Sequence, residues 1–174
     1  MKMQGSKIPV ICIVGKSKSG KTTLIEKLIR ELTKRGFKIG TVKHSVHGFD
    51  LDIEGKDSYR HKKAGASFVL ISSPQKIALI KDVDREFTLE ELEEKFIEDV
   101  DLILVEGFKR SSYPKIEVFR KDFCEELLCS EDENLIAVVS DKKLNLNLPF
   151  FRPDEISRLA DFIVERFIKN FKRK

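Results

Sequence analysis

The 174-residue chain is 41% hydrophobic and 36% charged, which supplies a packed core and excludes intrinsic disorder. No apolar run approaches the roughly 18 residues of a membrane-spanning helix, and Met1 to Ser6 lacks a signal-peptide pattern, so a cytoplasmic protein without a membrane role is expected. The net charge of +4 is accounted for by Lys169, Lys172, Arg173 and Lys174, leaving residues 1–168 neutral, so binding to nucleic acid is poorly supported.

Three cysteines, an odd number, argue against a disulfide framework. Cys12 sits in an apolar strand, and Cys124 and Cys129 are spaced too widely for a zinc knuckle. Reduced structural thiols are expected.

In chain order, Ile8 to Val14 is a nearly unbroken apolar run, as expected of a strand covered on both faces. Leu24, Ile25, Leu28, Ile29 and Leu32 follow with helical spacing, and Gly36 is placed to end that helix. Phe37 to Val42 reads as a second strand, completing a βαβ unit. Residues 43–57 are polar and read as a long functional loop. A short helix is expected over Ser58 to Ala64. Phe68 to Ser72 and Lys76 to Ile80, separated by Ser73-Pro74-Gln75, read as a hairpin. Thr88 and Glu91 form a capping box for a helix to about Ile97. Leu102 to Val105, Ile116 to Phe119 and Leu135 to Val139 complete the strands. Ile156, Leu159, Ala160, Ile163, Val164, Phe167, Ile168 and Phe171 make one continuous apolar stripe on a final helix. The expectation is a single α/β domain over residues 1–174, with a mainly parallel sheet and an antiparallel hairpin insertion.

Gly15-Lys16-Ser17-Lys18-Ser19-Gly20-Lys21-Thr22 matches G-x-x-x-x-G-K-[ST] between a strand and a helix, the context that the phosphate-binding loop requires. Gly15 and Gly20 permit the backbone angles that wrap main-chain N–H groups around phosphate oxygens. The helix that follows aims its positive end at the same anion. Lys21 is expected at the β- and γ-phosphates and the Thr22 hydroxyl on Mg²⁺. Ser17, Lys18 and Ser19 are expected to contribute backbone N–H groups.

A second Mg²⁺ partner belongs at the carboxyl end of a core strand. Asp101 and Glu106 bracket one strand, roughly 16 Å apart at about 3.3 Å per residue, and only Glu106 is at the right end. Gly107 leaves room beside the sheet for phosphate or metal.

All three histidines (His44, His47, His61) fall within residues 44–61, interspersed with Lys43, Asp50, Asp52, Lys56, Asp57 and Arg60. A loop leaving the carboxyl end of a strand next to a phosphate site is where a substrate or switch loop belongs. Two versions stand: His44 and His47 with Asp50 or Asp52 as a transition-metal site, or Lys43, His44, Lys56 and Arg60 around an anion, with Asp52 or Asp57 orienting water or Mg²⁺. After Glu106, the cations Lys109 and Arg110 are placed to neutralise phosphate or a second anion.

The segments GKSKSGKTTL, GTVKHSVHGFDLDIEGKDSYRHKKAGA, DLILVEGFK and PKIEVFR, in this order, resemble the molybdopterin-guanine dinucleotide biosynthesis protein B (MobB) family. The likeness runs from residue 9 to about residue 140, and the long histidine-containing segment is its specific part. The resemblance implies a three-layer P-loop NTPase fold and a GTP-binding protein with weak Mg²⁺-dependent GTPase activity. Such a protein assists attachment of GMP to molybdopterin beside the guanylyltransferase that performs that chemistry, and family members are homodimers. Carried over residue by residue, Gly15 to Thr22 and Thr23 bind phosphates, Glu106 serves Mg²⁺, and Lys43, His44, Asp52, Lys56, Asp57 and Arg60 line the site. Ser140-Asp141 resembles the family's base-side segment, which gives Asp141 the guanine N1 and N2 donors. Two features depart from expectation: Lys18 makes the loop unusually cationic, and no N-K-x-D guanine motif is present. No arginine finger or water-positioning Gln follows the phosphate loop, so slow hydrolysis is expected. A metal-delivery GTPase of the nickel type and a small-molecule kinase are the competing readings.

Overall fold

The computed structural model describes residues 8–49, 52–121 and 126–172. Asp50, Cys124, Arg173 and Lys174 lie outside the described residues. The chain forms two compact units, residues 1–44 with 89–174, and residues 45–88. The sequence expectation of one domain with an inserted hairpin thus meets an insertion that is compact in itself.

The larger unit is built on a six-stranded parallel sheet in the order β2-β5-β1-β6-β7-β8. The strands are β1 (Val10–Val14), β2 (Ile39–Lys43), β5 (Leu102–Glu106), β6 (Lys115–Phe119), β7 (Leu135–Ser140) and β8 (Phe150–Phe151). β1 is fully buried along its length, which is why its sequence carries no polar alternation. One face of the sheet is covered by α1 (Lys21–Lys34) and by the final helical stretch, α4 (Ile156–Ile163) continuing through a π-helical segment (Val164–Ile168) into α5 (Lys169–Lys172). Leu24, Leu28 and Leu32 pack with Leu159, Ile163 and Phe167 over Ile11, Ile13 and Leu104. α1 ends as the sequence indicates. Gly36 takes a left-handed φ of +89°, Gly36 N–H donates to Thr33 O (2.9 Å) and Phe37 N–H to Leu32 O (3.1 Å), closing the helix C-terminus in a Schellman motif.

The opposite face is covered by α3 (Leu89–Phe96) and by the segments on either side of β7, with Leu89, Cys129, Leu144 and Leu148 on Val10, Cys12 and Val138. Two ionisable residues of β6 point into this layer. Lys115 is fully buried and pairs with Asp132 (2.9 Å), also bonding Ser111 O. Glu117, 1% exposed, accepts N–H bonds from Leu128 (2.7 Å) and Cys129 (2.9 Å). Burial pushes the Glu117 carboxyl above its usual range, with those two N–H groups pulling the other way. Cys12 and Cys129 are free and buried, and burial pushes Cys12 up to about 11, so it is held as an inert thiol.

The 45–88 unit holds α2 (Asp57–Lys63) and the antiparallel hairpin β3 (Phe68–Ser73) and β4 (Lys76–Lys81). Ser73 Oγ accepts from Lys76 N–H at 3.0 Å across the Pro74-Gln75 turn. The sequence placed α2 and the hairpin to within a residue. It did not contain β8, nor the widened turn in the last helix.

Candidate functional site: a phosphate loop at the carboxyl edge of the sheet

All six strands of the larger unit run parallel, so their carboxyl ends form one edge, and the Gly15–Lys21 loop leaves β1 at that edge. Gly15 takes φ +144°, and a Cβ there would lie 2.4 Å from Val118 O and 2.8 Å from Ser19 Oγ. The loop is therefore seated against β6 so closely that only glycine fits. Lys18 (φ +63°) and Gly20 (φ +101°) are both left-handed, alternations of hand that turn successive N–H groups inward as an anion nest. Gly20 is the N-cap of α1 and supplies no side-chain cap, so the first-turn amides of a 14-residue helix remain open to an anion.

Lys21 folds back over this loop. Its ammonium donates to Gly15 O (3.0 Å) and Lys16 O (2.7 Å). Burial draws its pKa down, Glu106 opposes that, and Lys43 adds to it. Thr22 Oγ1 donates to Glu106 Oε2 at 3.1 Å. A hydroxyl and a carboxylate in contact at a phosphate loop make an oxygen donor set suited to Mg²⁺. Ser19, 2% exposed, has a buried Oγ with no hydrogen-bond partner. It lies 2.8 Å from where a Gly15 Cβ would stand, at the place where the loop is seated against β6.

The β2 side of the edge is equally ordered. Lys43 is in register with Glu106, and His44 N–H donates to Glu106 O at 3.0 Å. The His44 and Phe108 rings stack at 4.5 Å, and a Cβ on Gly107 (φ +107°) would come within 3.0 Å of His44 Cβ. Gly107 therefore makes space for the histidine. Asp101 lies at the other end of β5, accepting Lys38 N–H at 2.9 Å, as its role at the far edge requires.

Lys21, Thr22, Lys43, His44 and Glu106 are thus brought together. Asp52, Lys56, Asp57 and Arg60 belong to the other unit and are described within it. Asp52 Oδ1 accepts from Ser58 Oγ (3.0 Å) and Ile53 N–H (2.8 Å), and its Oδ2 is buried without a partner. Arg60 and Asp57 approach to 3.6 Å across one turn of α2. Among the described residues no group of three or more His, Cys, Asp or Glu side chains is arranged to hold a metal ion. Lys109 and Arg110 line a recess of about 280 Å³ with Leu128 to Asp132. Asp141 is exposed just beyond β7, where Phe119 pairs with Ser140.

Arg120 went unassigned in the sequence. It follows β6, and its Nη2 lies 3.7 Å from where a Cβ on Gly20 would stand. As the last letter of PKIEVFR it carries no spacing signal of its own; only the neighbouring position of β6 to the loop reveals it.

A family model described as molybdopterin guanine dinucleotide synthesis protein B matches residues 10–141. A molybdopterin-guanine dinucleotide biosynthesis adapter protein of Escherichia coli (strain K12) is 41% identical over 167 residues, covering 91% of this chain and 93% of that protein. Its Haemophilus influenzae counterpart is 38% identical over 95% and 93% of the two chains. Among solved structures, that of Bacillus subtilis MobB superposes with a TM-score of 0.73 at 31% identity, over 92% of this chain and 98% of that one. No helix among the described residues is long and apolar enough to cross a membrane.

Proposed function

Since the chain belongs to the molybdopterin guanine dinucleotide synthesis protein B family, we propose that it works in its pathway as a GTP-binding accessory protein with slow Mg²⁺-dependent GTPase activity. Its role as an adapter in molybdopterin guanine dinucleotide biosynthesis follows from that membership. The nucleotide part of the reading rests on one observation above the rest: Thr22 and Glu106, far apart in sequence, meet at 3.1 Å beside a loop whose lysine spends its hydrogen bonds on the loop's own carbonyls.

In this reading the main-chain N–H groups from Gly15 to Thr23 bind the phosphates. The Lys21 ammonium exchanges the Gly15 and Lys16 carbonyls for phosphate oxygens, which are stronger, charged acceptors. Thr22 and Glu106 would hold Mg²⁺, which would supply positive charge against the bound phosphates. Lys43 places a further cation beside Glu106. Phe108 fixes the plane of His44 at the same edge, where it can orient a phosphate or a water by hydrogen bonding. With no arginine finger or water-positioning Gln following the loop in the sequence, hydrolysis is slow, which favours a bound-nucleotide state that persists and signals to a partner. Molybdopterin or its guanine dinucleotide form and the guanylyltransferase are the proposed partners.

A homodimer is part of the proposal. Phe68, Leu70, Ile77 and Leu79 of the two-stranded hairpin are each at least 45% exposed, and a two-stranded sheet has two unpaired edges that a second copy can extend. Sedimentation equilibrium checks it.

The test of the nucleotide reading is calorimetry with GTP and ATP, with Mg²⁺ and with chelator. GTP is expected to bind, more tightly with Mg²⁺ and more tightly than ATP, and Lys21→Ala is expected to abolish binding. Normal GTP affinity in Lys21→Ala removes the phosphate loop from the account.

A further inference from the structure

Lys115 has no exposed surface, although it is charged and belongs to β6, next to the strand that leads into the phosphate loop. Well-packed apolar residues generally serve stability in such a place as well as a buried ion pair does, so stability alone does not account for the charge. We propose that Lys115 is a positioning residue for the phosphate site, acting through the turn that follows Glu106. The inference rests on the nucleotide reading above and names what holds the metal side of that site in place.

The turn is one that needs holding. After Glu106 the backbone is left-handed twice running, at Gly107 (φ +107°) and at Phe108 (φ +51°). Glycine adopts such angles freely. A bulky aromatic residue is strained in them and stays there only where its surroundings fix it. Ser111 N–H donates to Phe108 O at 2.9 Å, closing the turn. Ser111 O then accepts from the Lys115 ammonium, which also reaches Tyr113 O at 3.4 Å and pairs with Asp132 at 2.9 Å. Ser111 Oγ lies 3.5 Å from Cys12 Sγ, so the same residue rests on β1. A side chain without an ammonium would fill the space at position 115 and hold neither carbonyl.

The other end of the turn reaches the site. The Phe108 and His44 rings pack with centroids 4.5 Å and planes 32° apart. His44 N–H donates to Glu106 O at 3.0 Å, and Glu106 Oε2 accepts from Thr22 Oγ1 at 3.1 Å. Lys115, Ser111, Phe108, His44 and Glu106 are thus joined contact by contact, from a buried ammonium to the carboxylate proposed for Mg²⁺. Every one of them belongs to the larger unit. The phosphate loop itself runs from β1 into α1 and not through this turn. Loss of the Lys115 ammonium should therefore weaken the Mg²⁺-dependent part of nucleotide binding and leave the phosphate-loop part alone.

Two variants separate positioning from stability. Asp132→Asn keeps the ammonium on Ser111 O but strands its charge. Lys115→Met combined with Asp132→Asn recovers stability and gives up the hold on the turn. Melting temperature should therefore fall in the order wild type, double variant, Asp132→Asn. GTP affinity with Mg²⁺, measured by calorimetry, should follow a different order. It should stay near wild type in Asp132→Asn and drop by about tenfold in the double variant, the lower end for losing an outer support of a metal ligand. Affinity in chelator should stay at the wild-type value in both. A second readout is the imidazole proton resonances of His44, one of three histidines in the chain, identified by their loss in His44→Gln. Phe108→Leu removes the ring current on them. The double variant, which keeps both rings, should shift them the same way, and Asp132→Asn should not.

An affinity order that matches the melting order, or unmoved His44 resonances in the double variant, makes Lys115 structural only and overturns the proposal while the nucleotide reading stands. An equal loss of affinity with and without Mg²⁺ overturns it too. Should the double variant not fold, Phe108→Leu decides, since it leaves the ion pair intact: loss of the Mg²⁺-dependent part alone supports the turn's role, and unchanged affinity overturns it. Failure of wild type to bind GTP takes down the nucleotide reading and this proposal together.

Discussion

Thr22 Oγ1 donates a 3.1 Å hydrogen bond to Glu106 Oε2 across a sequence separation of 84 residues. The contact exists because β5 lies beside β1 with Ile13 in register with Glu106, which brings the end of one strand to the start of the helix that follows the other. Glu106→Gln and Thr22→Val should each lower the Mg²⁺-dependent part of nucleotide affinity by about 10–100-fold, the range seen when a metal site loses a supporting oxygen. Binding in chelator should barely move. Calorimetry with and without Mg²⁺ separates the two, and an equal loss in both conditions would show that the pair is structural.

The Lys21 ammonium gives a pH prediction. Its pKa is drawn below the usual lysine value chiefly by burial, and a bound polyphosphate favours the charged form. Affinity should therefore be full below that lowered value and decline as pH rises through it, with proton uptake on binding in that window. Calorimetry in buffers of different ionisation enthalpy reads the uptake directly. Flat affinity through the alkaline range would contradict the assignment.

Gly15 and Gly36 make a controlled pair. Both have positive φ, but a Cβ at Gly15 meets Val118 O at 2.4 Å, whereas one at Gly36 meets nothing within 4 Å. Gly36→Ala should cost only the left-handed penalty of about 1–2 kcal/mol. For a chain of this size that lowers Tm by about 2–4 °C per kcal/mol. Gly15→Ala must also displace backbone, so its Tm should fall further and its phosphate binding should be lost. Equal melting temperatures would show that the loop is free to move off β6.

The buried ion pair predicts an acid response. Burial opposes the Asp132 carboxylate, but Lys115 and the Asn134 groups hold its pKa below the ordinary aspartate value. A carboxylate lowered in the folded state adds stability that is present above its unfolded value and is lost as pH falls through the folded one. Asp132→Asn should remove that acid limb and cost about 3–5 kcal/mol by stranding a buried ammonium. Lys115→Met combined with Asp132→Asn should recover much of the loss. Urea melts of wild type and the two variants between pH 3 and 7 measure both effects.

The strand–loop–helix placement of Gly15 to Thr22 was legible because its pattern is local: glycines, lysine and threonine at fixed spacing between a strand and a helix. Glu106 was legible once Asp101 had been set at the opposite end of the strand. Other features depend on distant partners. Phe150–Phe151 is too short to show a period, yet Val138 and Val139 pair with it as β8. Val164 to Ile168 continues the apolar stripe of α4 without any residue that marks the switch to a wider turn. Lys115 and Glu117 alternate with Ile116 and Val118 as a half-solvated strand would. All five residues of β6 are nonetheless buried, because Asp132 and the amides of Leu128 and Cys129 come across to meet the two charges. Arg120 became visible only when the neighbour of β1 was known.

Residues 126–132 contain no helix or strand, but Glu117 grips two of their amides from a central strand. Freeing that stretch means stripping the Glu117 carboxyl of both its amide donors and the Lys115 ammonium of its only carboxylate among the described residues, so it should open only when the sheet itself comes apart. Deuterium labelling would then find the Leu128 and Cys129 amides exchanging as slowly as those of β6 and β7, an irregular ribbon with the persistence of a core.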